Sequence, residues 1–297
     1  MVFTVFTPVY NRKEFLPKIY QSLLAQKNKN FEWLIVDDGS TDGVEELVKE
    51  LIARKEIQIN YYYKENGGKH SAINFGVNKA KTDLFIIIDS DDFFANNALE
   101  LLSEQWDVIK NDNSICGIVG LSSYTNGEIV GSPFPDTIWD VHFPDIYYKY
   151  HLKGDKSVAF KTSVLKEFPF PEKMGVRFVF EAVVWHEMAK RYKVRCINEV
   201  IQFVEYQNQG LSDSSYKKWY IEGLAFSYYK LIDNQTHPFL KYPKVFLWDY
   251  VYLVIYSLLL EENYFQKLNT LYQKLIYLFV FPRAYYSYRN MKNLLKD

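Results

Sequence analysis

Leu84–Asp92 reads LFIIIDSDD: five apolar residues without a polar break, then four polar ones of which three are acidic. An unbroken apolar run of that length, rather than an alternating one, suits a strand buried on both faces of a sheet. The same design occurs twice upstream. Phe3–Val9 (FTVFTPV) runs into Tyr10-Asn11, and Trp33–Val36 (WLIV) runs into Asp37-Asp38-Gly39-Ser40-Thr41-Asp42. A further β-rich piece is Ile57–Lys64, IQINYYYK. Between these lie segments with helical spacing: Glu14–Gln26 keeps Phe15, Ile19 and Leu23 on one face, Val44–Ala53 keeps Val44, Leu47, Val48 and Leu51, and Ser71–Ala80 keeps Ala72, Phe75 and Gly76. The βαβαβαβ order predicts an α/β fold with a mostly parallel, Rossmann-like central sheet flanked by helices. Such sheets bind ligands outside the carboxyl ends of their strands, which is where the acids of this chain collect.

The 297 residues carry 35 Lys and Arg against 36 Asp and Glu, a net charge of −1. That balance excludes a disordered polyelectrolyte and a general nucleic-acid binder. Cys116 and Cys196 stand alone, without metal-ligand spacing, so neither a disulfide scaffold nor a zinc module is expected and a reducing cytoplasm fits best. MVFTVFTPVYNR has no basic segment leading into an apolar stretch and a cleavage site, so no secretion signal is visible. The charge-free run Val251–Leu260 is ten residues long, well short of the roughly 20 that cross a bilayer, and no spanning helix is expected from it.

Residues 114–212 hold most of the prolines and several short β-rich pieces, as loops and extra strands completing the first domain would. From Asp213 the character changes, with 22 aromatic residues in 85 and helical stretches at Lys217–Ile232 and Tyr242–Glu261. From Asn263 on there are six Lys or Arg and one acid, Asp297. The expected organisation is therefore a domain over 1–212, in two halves (1–105 and 106–212), followed by a helical appendage over 213–297. The appendage either packs on the domain or rests on anionic membrane.

Carboxylates at the ends of buried strands are costly unless paired, and a divalent cation is the natural partner. Hard oxygen ligands suit Mg²⁺ or Mn²⁺. The alternative is that Asp42 and Asp92 only cap helices. Glu65-Asn66-Gly67-Gly68-Lys69-His70 precedes a helix, and its glycines let the backbone approach an anion beside Lys69, where a phosphate would rest and His70 could reach it. A plain turn reads the same way.

Thr7-Pro8-Val9-Tyr10-Asn11, Val36–Asp42, Asn66-Gly67-Gly68 with Ala72 and Asn74, and Asp89-Ser90-Asp91-Asp92, in that order and spacing, resemble the family-2 inverting glycosyltransferases of the GT-A fold. The resemblance covers residues 1 to about 105 and implies that 1–105 is the nucleotide-binding half and 106–212 the acceptor-binding half of the domain. It implies that Thr7, Pro8, Tyr10 and Asp38 hold the base and ribose of a nucleotide, joined by Gly68, Lys69, Asn74, Asp89 and Ser90. It further implies that Asp89-Ser90-Asp91 is the DxD motif, with Asp91 and its neighbour Asp92 as ligands of Mn²⁺ or Mg²⁺. Inverting transfer requires a carboxylate to take the acceptor's proton. In the family that acid opens a helix with an aromatic a few residues on. The similar stretch here is Phe180-Glu181-Ala182-Val183-Val184-Trp185, making Glu181 the base, with Ala182 where the family commonly has Asp. The alternative is a first-turn acid stabilised by the helix dipole. Asp155, after Gly154, and Trp185 are assigned to the acceptor or sugar pocket, and Tyr206–Ser212 (YQNQGLS) to a lid near the diphosphate. His142, His151, His186 and His237 have no ligand-like spacing.

The expected activity is transfer of a sugar from a nucleoside-diphosphate donor, most often UDP, to a glycan or lipid-linked acceptor at the inner face of the cell membrane. The competing readings are a nucleotidyltransferase, which would carry a Gly-rich, Arg-containing loop where Thr7–Asn11 stands, and a catalytically silent nucleotide- or glycan-binding scaffold, which would have shed its acids.

Overall fold

The computed structural model describes residues 2–205 and 217–294, with side chains as far as Lys292. In chain order the elements are β1 (Phe3–Val9), α1 (Leu16–Ala25), β2 (Phe31–Asp37), α2 (Val44–Ala53), β3 (Ile59–Tyr63), α3 (Lys69–Lys79), β4 (Leu84–Ile87), β5 (Phe93–Phe94) and α4 (Ala98–Ile109). They continue with β6 (Ile115–Tyr124), β7 (Ile138–Val141), α5 (Phe143–Tyr148), β8 (Lys156–Lys161), α6 (Thr162–Glu167), α7 (Ala182–Met188) and β9 (Lys193–Val204). The last described elements are four helices: α8 (Lys218–Asp233), α9 (Pro243–Leu260), α10 (Tyr264–Lys267) and α11 (Leu271–Leu294).

Contacts divide the described residues into two compact units. The first comprises the chain up to Pro169 and from Met188 to Glu205; the second comprises Phe170–Glu187 and the helices from Lys217 on. The boundary read at 212/213 lies outside the described residues. The division differs from the sequence reading in one segment, because Phe170–Glu187 groups with the C-terminal helices. Its aromatics are the reason: Phe178 stacks on Tyr220 with ring centroids 4.4 Å apart, and Phe180 meets Tyr228 edge-on at 5.3 Å. At Gly223 in α8 a Cβ would lie 2.3 Å from the Phe178 carbonyl oxygen, so a bare Cα is what lets the segment approach.

Among the described residues of the first unit nine strands form one sheet in the order β3-β2-β1-β4-β8-β6-β9-β5, with β7 on β9. β3, β2, β1 and β4 run parallel, as the βαβ order predicts. The pairing of β1 with β2 ends at Val9 and Asp37, so Tyr10-Asn11 and Asp38 leave the sheet side by side. A mostly parallel sheet describes this half alone. β8 is antiparallel to both β4 and β6, and β5 and β7 are antiparallel to β9, so the α/β sheet is mixed. The cause is the edge of β4, whose backbone donors and acceptors need a partner; β8, returning from the loop-rich middle, supplies it.

One face of the sheet buries Phe3, Val5, Trp33, Ile35, Leu84 and Ile86 against Ile19 and Leu23 of α1, Val48 of α2 and Leu99 and Leu102 of α4. On the other face Phe6 stacks on Phe85 at 4.9 Å. α3 lies so close there that a Cβ at Gly76 would stand 2.4 Å from the Phe6 ring.

In the second unit α8, α9 and α11 enclose Ala225, Tyr250, Leu253, Val254, Tyr277, Val280 and Ala284. By length and composition the 18 residues of α9 could cross a bilayer. It is apolar on every side, as helices inside a core are, and Tyr250, Val251, Leu253, Val254 and Ile255 are buried in the unit. The helix was read at Tyr242–Glu261, and Asp249, which lies ahead of the charge-free run, is itself buried, its Oδ2 2.7 Å from Nδ1 of His237. Nε2 of His237 lies 2.8 Å from Nδ1 of His186 in α7. Burial, and then the neighbouring His237, push the His186 pKa well below the usual histidine value, so its ring is neutral.

Gly76→Ala tests the α3 contact. Alanine gains about 1 kcal/mol of helix propensity, but overpacking against Phe6 costs about 1–3 kcal/mol. The urea midpoint should therefore fall; a rise would show that α3 shifts freely.

Candidate functional site

The site is assembled at the carboxyl ends of β1, β2, β3 and β4. Asp38, directly after β2, is buried. Its Oδ1 accepts from Lys64 Nζ at 2.7 Å and from the Gly67 amide at 3.0 Å, and its Oδ2 accepts from the Gly68 amide at 2.7 Å. Gly68 has φ +90°, a left-handed conformation that glycine adopts without a Cβ penalty, and it opens α3. Asp37 is buried as well and accepts from Tyr61 Oη and from the Ser40 amide, each at 2.7 Å. Asn11 joins β1 to the same turn, its amide donating to Ser40 Oγ at 2.9 Å and its Oδ1 accepting from the Thr41 amide at 2.7 Å.

The acids after β4 meet cations from neighbouring strand ends. Lys69 Nζ pairs with Asp89 at 2.7 Å and Arg12 Nη1 with Asp91 Oδ2 at 2.6 Å. Ser90 between them is buried. Gln202 Nε2 of β9 donates to Asp92 Oδ2 at 3.2 Å. Burial first, and then the charges of Asp89 and Asp91, push the Asp92 carboxyl up to about 8. Such a group is short of positive charge, and hard oxygens of this kind fit Mg²⁺ or Mn²⁺. Among the described residues no group of three or more His, Cys, Asp or Glu converges on a point. The donor set thus fits a cation held by one or two carboxylates with phosphates completing its shell, not an all-protein cage.

The other residues singled out from sequence fall in different settings. Thr7 is fully buried and its hydroxyl accepts from Trp33 Nε1 at 3.0 Å. Pro8 and Asn74 are half-buried, Tyr10 is exposed, and His70 is buried rather than open to a phosphate. Asp155 is exposed beside Gly154. There a Cβ would stand 2.2 Å from the Val130 carbonyl oxygen, so two chain segments meet backbone to backbone. Glu181 and Trp185 belong to the second unit, at the start and middle of α7, where Trp185 Nε1 donates to Glu181 Oε2 at 3.3 Å and the indole packs edge-on against Phe170. Tyr206–Ser212 lies outside the described residues. Arg12 and Lys64 were not picked out from sequence; the available signal was a cation directly after Thr7–Asn11 and another ending the third β-rich run. The reading also missed a cavity of about 450 Å³ lined by Lys13, Asp37, Ser40, Thr41, Tyr61 and Tyr63 among others.

Residues 4–167 match the family model "Glycosyl transferase family 2", more than half of the chain. The chain belongs to that family. Membership makes it a transferase by class, and the match ends before Glu181. An uncharacterized glycosyltransferase of Rickettsia bellii is 34% identical over 145 residues, 46% of this chain and 20% of that protein. The glycosyltransferase GlyA of Streptococcus pneumoniae serotype 4 is 37% identical over 99 residues, 33% of this chain and 14% of that protein. The chain thus spans far less than two thirds of these relatives. Among solved structures, S. aureus TarS 1–349 in complex with UDP-GlcNAc superposes with a TM-score of 0.62 at 19% identity, covering 96% of this chain and 81% of that one. The mannosyltransferase PcManGT from Pyrobaculum calidifontis, in complex with GDP-Man and Mn²⁺, gives 0.55 at 16% identity, covering 99% and 84%. At these identities the likeness establishes the fold: a GT-A-like α/β domain followed by C-terminal helices.

Two predictions follow from the geometry. Asp38→Ala leaves Lys64 without its carboxylate and should destabilise by about 3–5 kcal/mol, whereas adding Lys64→Met to it should restore part of the loss in a double-mutant cycle read by urea unfolding. Additive losses would mean that the pair is not coupled. The second concerns pH. Folded Asp92 keeps its proton up to about 8, whereas an unfolded Asp loses it near 3.9. Between those values the folded state holds the extra proton, so this group's contribution is greatest at the acid end and is lost as pH rises. With chelator present, the margin by which Asp92→Asn exceeds wild type in thermal midpoint should grow from near pH 5 to near pH 8. A constant offset across that range would refute the burial argument.

Proposed function

We propose that this chain transfers a sugar from a nucleoside-diphosphate donor, UDP-linked in the first instance, to a hydroxyl of a glycan or lipid-linked acceptor with inversion at the anomeric carbon. The observation that carries the reading is the set of alternating charges at the strand ends: Asp38 with Lys64, Asp89 with Lys69, and Asp91 with Arg12. A site built of paired cations and carboxylates accepts both partners of a metal diphosphate, its cations facing phosphate oxygens and its acids facing the metal.

Tyr10 and the main chain beside Pro8 border the nucleoside, with Thr7 supporting them from inside. Asp38 acts by holding Gly67-Gly68 in place, and α3 then directs its N-terminal amides and Lys69 at the diphosphate. Asp91 and Asp92 would hold Mn²⁺ or Mg²⁺, which supplies neutralisation of the charge growing on the leaving diphosphate. Glu181, oriented by the Trp185 indole, takes the proton of the acceptor hydroxyl as that oxygen bonds to the anomeric carbon and the bond to the diphosphate breaks. Asp155 and Trp185 border the acceptor. The setting is the inner face of the cell membrane, with residues 213–297 as the contact.

Calorimetric titration of UDP, GDP, dTDP and CDP, with Mn²⁺ and with chelator, tests the donor site. One nucleotide should bind in a metal-dependent manner, and Asp91→Asn should weaken it at least about tenfold. Absence of binding by all four would favour the silent scaffold. Glu181→Gln should leave that binding unchanged and lower sugar transfer by about 10²–10⁴-fold; full activity in this variant would remove Glu181 as the base.

A further inference from the structure

α11 has two apolar faces, and the second unit uses only one of them. Gln273, Tyr277, Val280 and Ala284 are buried and define the inward face. Leu271, Leu275, Leu278, Phe279 and Tyr286 recur at helical spacing on the opposite face, all exposed, with Leu271 at 73% and Phe279 at 74%. At 1.5 Å per residue the 24-residue helix is about 36 Å long, and the stripe runs along most of it. The charge on the helix is of one sign: Lys274, Arg283, Arg289 and Lys292, with no Asp or Glu between Leu271 and Leu294. By helical position Lys274 and Lys292 lie along one margin of the stripe and Arg283 along the other, while Arg289 follows in line with Leu271 beyond the last apolar residue, Tyr286. Arg283 stands 5.9 Å over the ring of Trp248, which is itself exposed.

We infer that this face of α11 lies flat on an anionic phospholipid surface, its Leu and Phe side chains in the acyl boundary and its cations among the headgroup phosphates. An exposed apolar stripe with leucine and aromatic residues, flanked by Lys and Arg, is what an interfacial helix requires. Charge selects the occupant. Pairing of this face with a second copy would be isologous, setting the Lys and Arg of one α11 against those of the other, although Glu261 and Glu262 border the face at Leu278. A surface of phosphates supplies negative charge to Lys274 and Arg283 on both margins. Trp248 beside Arg283 is amphipathic and suited to headgroup depth. The inference deepens the membrane contact proposed above, and it is independent of the transfer chemistry.

Flotation of the full chain tests it, using vesicles of phosphatidylcholine alone and of phosphatidylcholine with about a third phosphatidylglycerol. Wild type should float with the anionic vesicles, bind the neutral ones at least about tenfold less, and be released by high salt. Lys274→Gln/Arg283→Gln/Lys292→Gln removes three contacts of about 1 kcal/mol each, and should lose on the order of a hundredfold in partition coefficient. Leu275→Glu/Phe279→Glu should abolish binding. If that pair fails to fold, the triple variant still decides, because it leaves the apolar stripe intact. Equal binding to both vesicle types, or wild-type binding by the triple variant, would overturn the inference. So would a wild-type dimer that binds no vesicles and becomes monomeric on Leu275→Glu/Phe279→Glu, since a second copy would then cover the face. Nucleotide titration of the same samples separates the two readings: lost flotation with intact nucleotide binding sinks the membrane face and leaves the transferase proposal standing.

Discussion

The carboxylate of Asp38 is the constraint on which the site depends. A buried anion is tolerated only when donors surround it, and here those donors come from elements that share no local sequence: Lys64 from the end of β3 and the amides of Gly67 and Gly68 from the turn into α3. Because the anion cannot be left unpaired, the turn has one resting place, and the start of α3 is fixed relative to β2. Lys69, the first residue of that helix, then meets Asp89 beyond β4. Thus an electrostatic requirement at one strand end sets the geometry of the next two.

What was legible in the sequence was whatever short-range periodicity encodes. β1 and α2 fall on the residues read for them, and the other early strands and helices differ by one or two residues at an end, because unbroken apolar runs and i, i+3, i+4 spacing arise from the element itself. Pairing between distant segments was not legible. β8 enters beside β4 across more than 60 residues of chain and turns a parallel sheet into a mixed one, and nothing local in KSVAFK reports its partner. The site divides along the same line. The acids stood out because several carboxylates after apolar runs are unusual, whereas Arg12 and Lys64 matter through the carboxylates they reach, 79 and 26 residues away.

The second unit shows why counting charges along a chain misjudges a helix. Asp249 interrupts an apolar stretch in the sequence, yet in the fold it is buried with its carboxylate against His237, which in turn meets His186. Desolvation raises the pKa of Asp249 while the histidine contact opposes that rise, and desolvation lowers that of His186. Burial therefore disfavours charge at both ends of the chain of three groups, and Asp249 is part of the core. The same three groups connect α9 to the helix that begins after Glu181, so the candidate base rests on a segment held by both aromatic packing and buried polar contacts.

α9 and α11 also show that apolarity alone does not assign a helix to lipid. α9 is the more apolar and is long and apolar enough to cross a bilayer, but Tyr250, Leu253 and Val254 already pack in the core of the unit, and inserting the helix would forfeit those contacts. α11 is the more polar, yet it leaves a long apolar face uncovered and carries charge of one sign at the margins of that face. Unsatisfied surface, not mean composition, is what a partner can relieve: burying a Leu or Phe side chain yields about 1.5–3 kcal/mol only where it is still exposed. By that criterion the helix with the weaker membrane signature in its sequence has the stronger one in its structure.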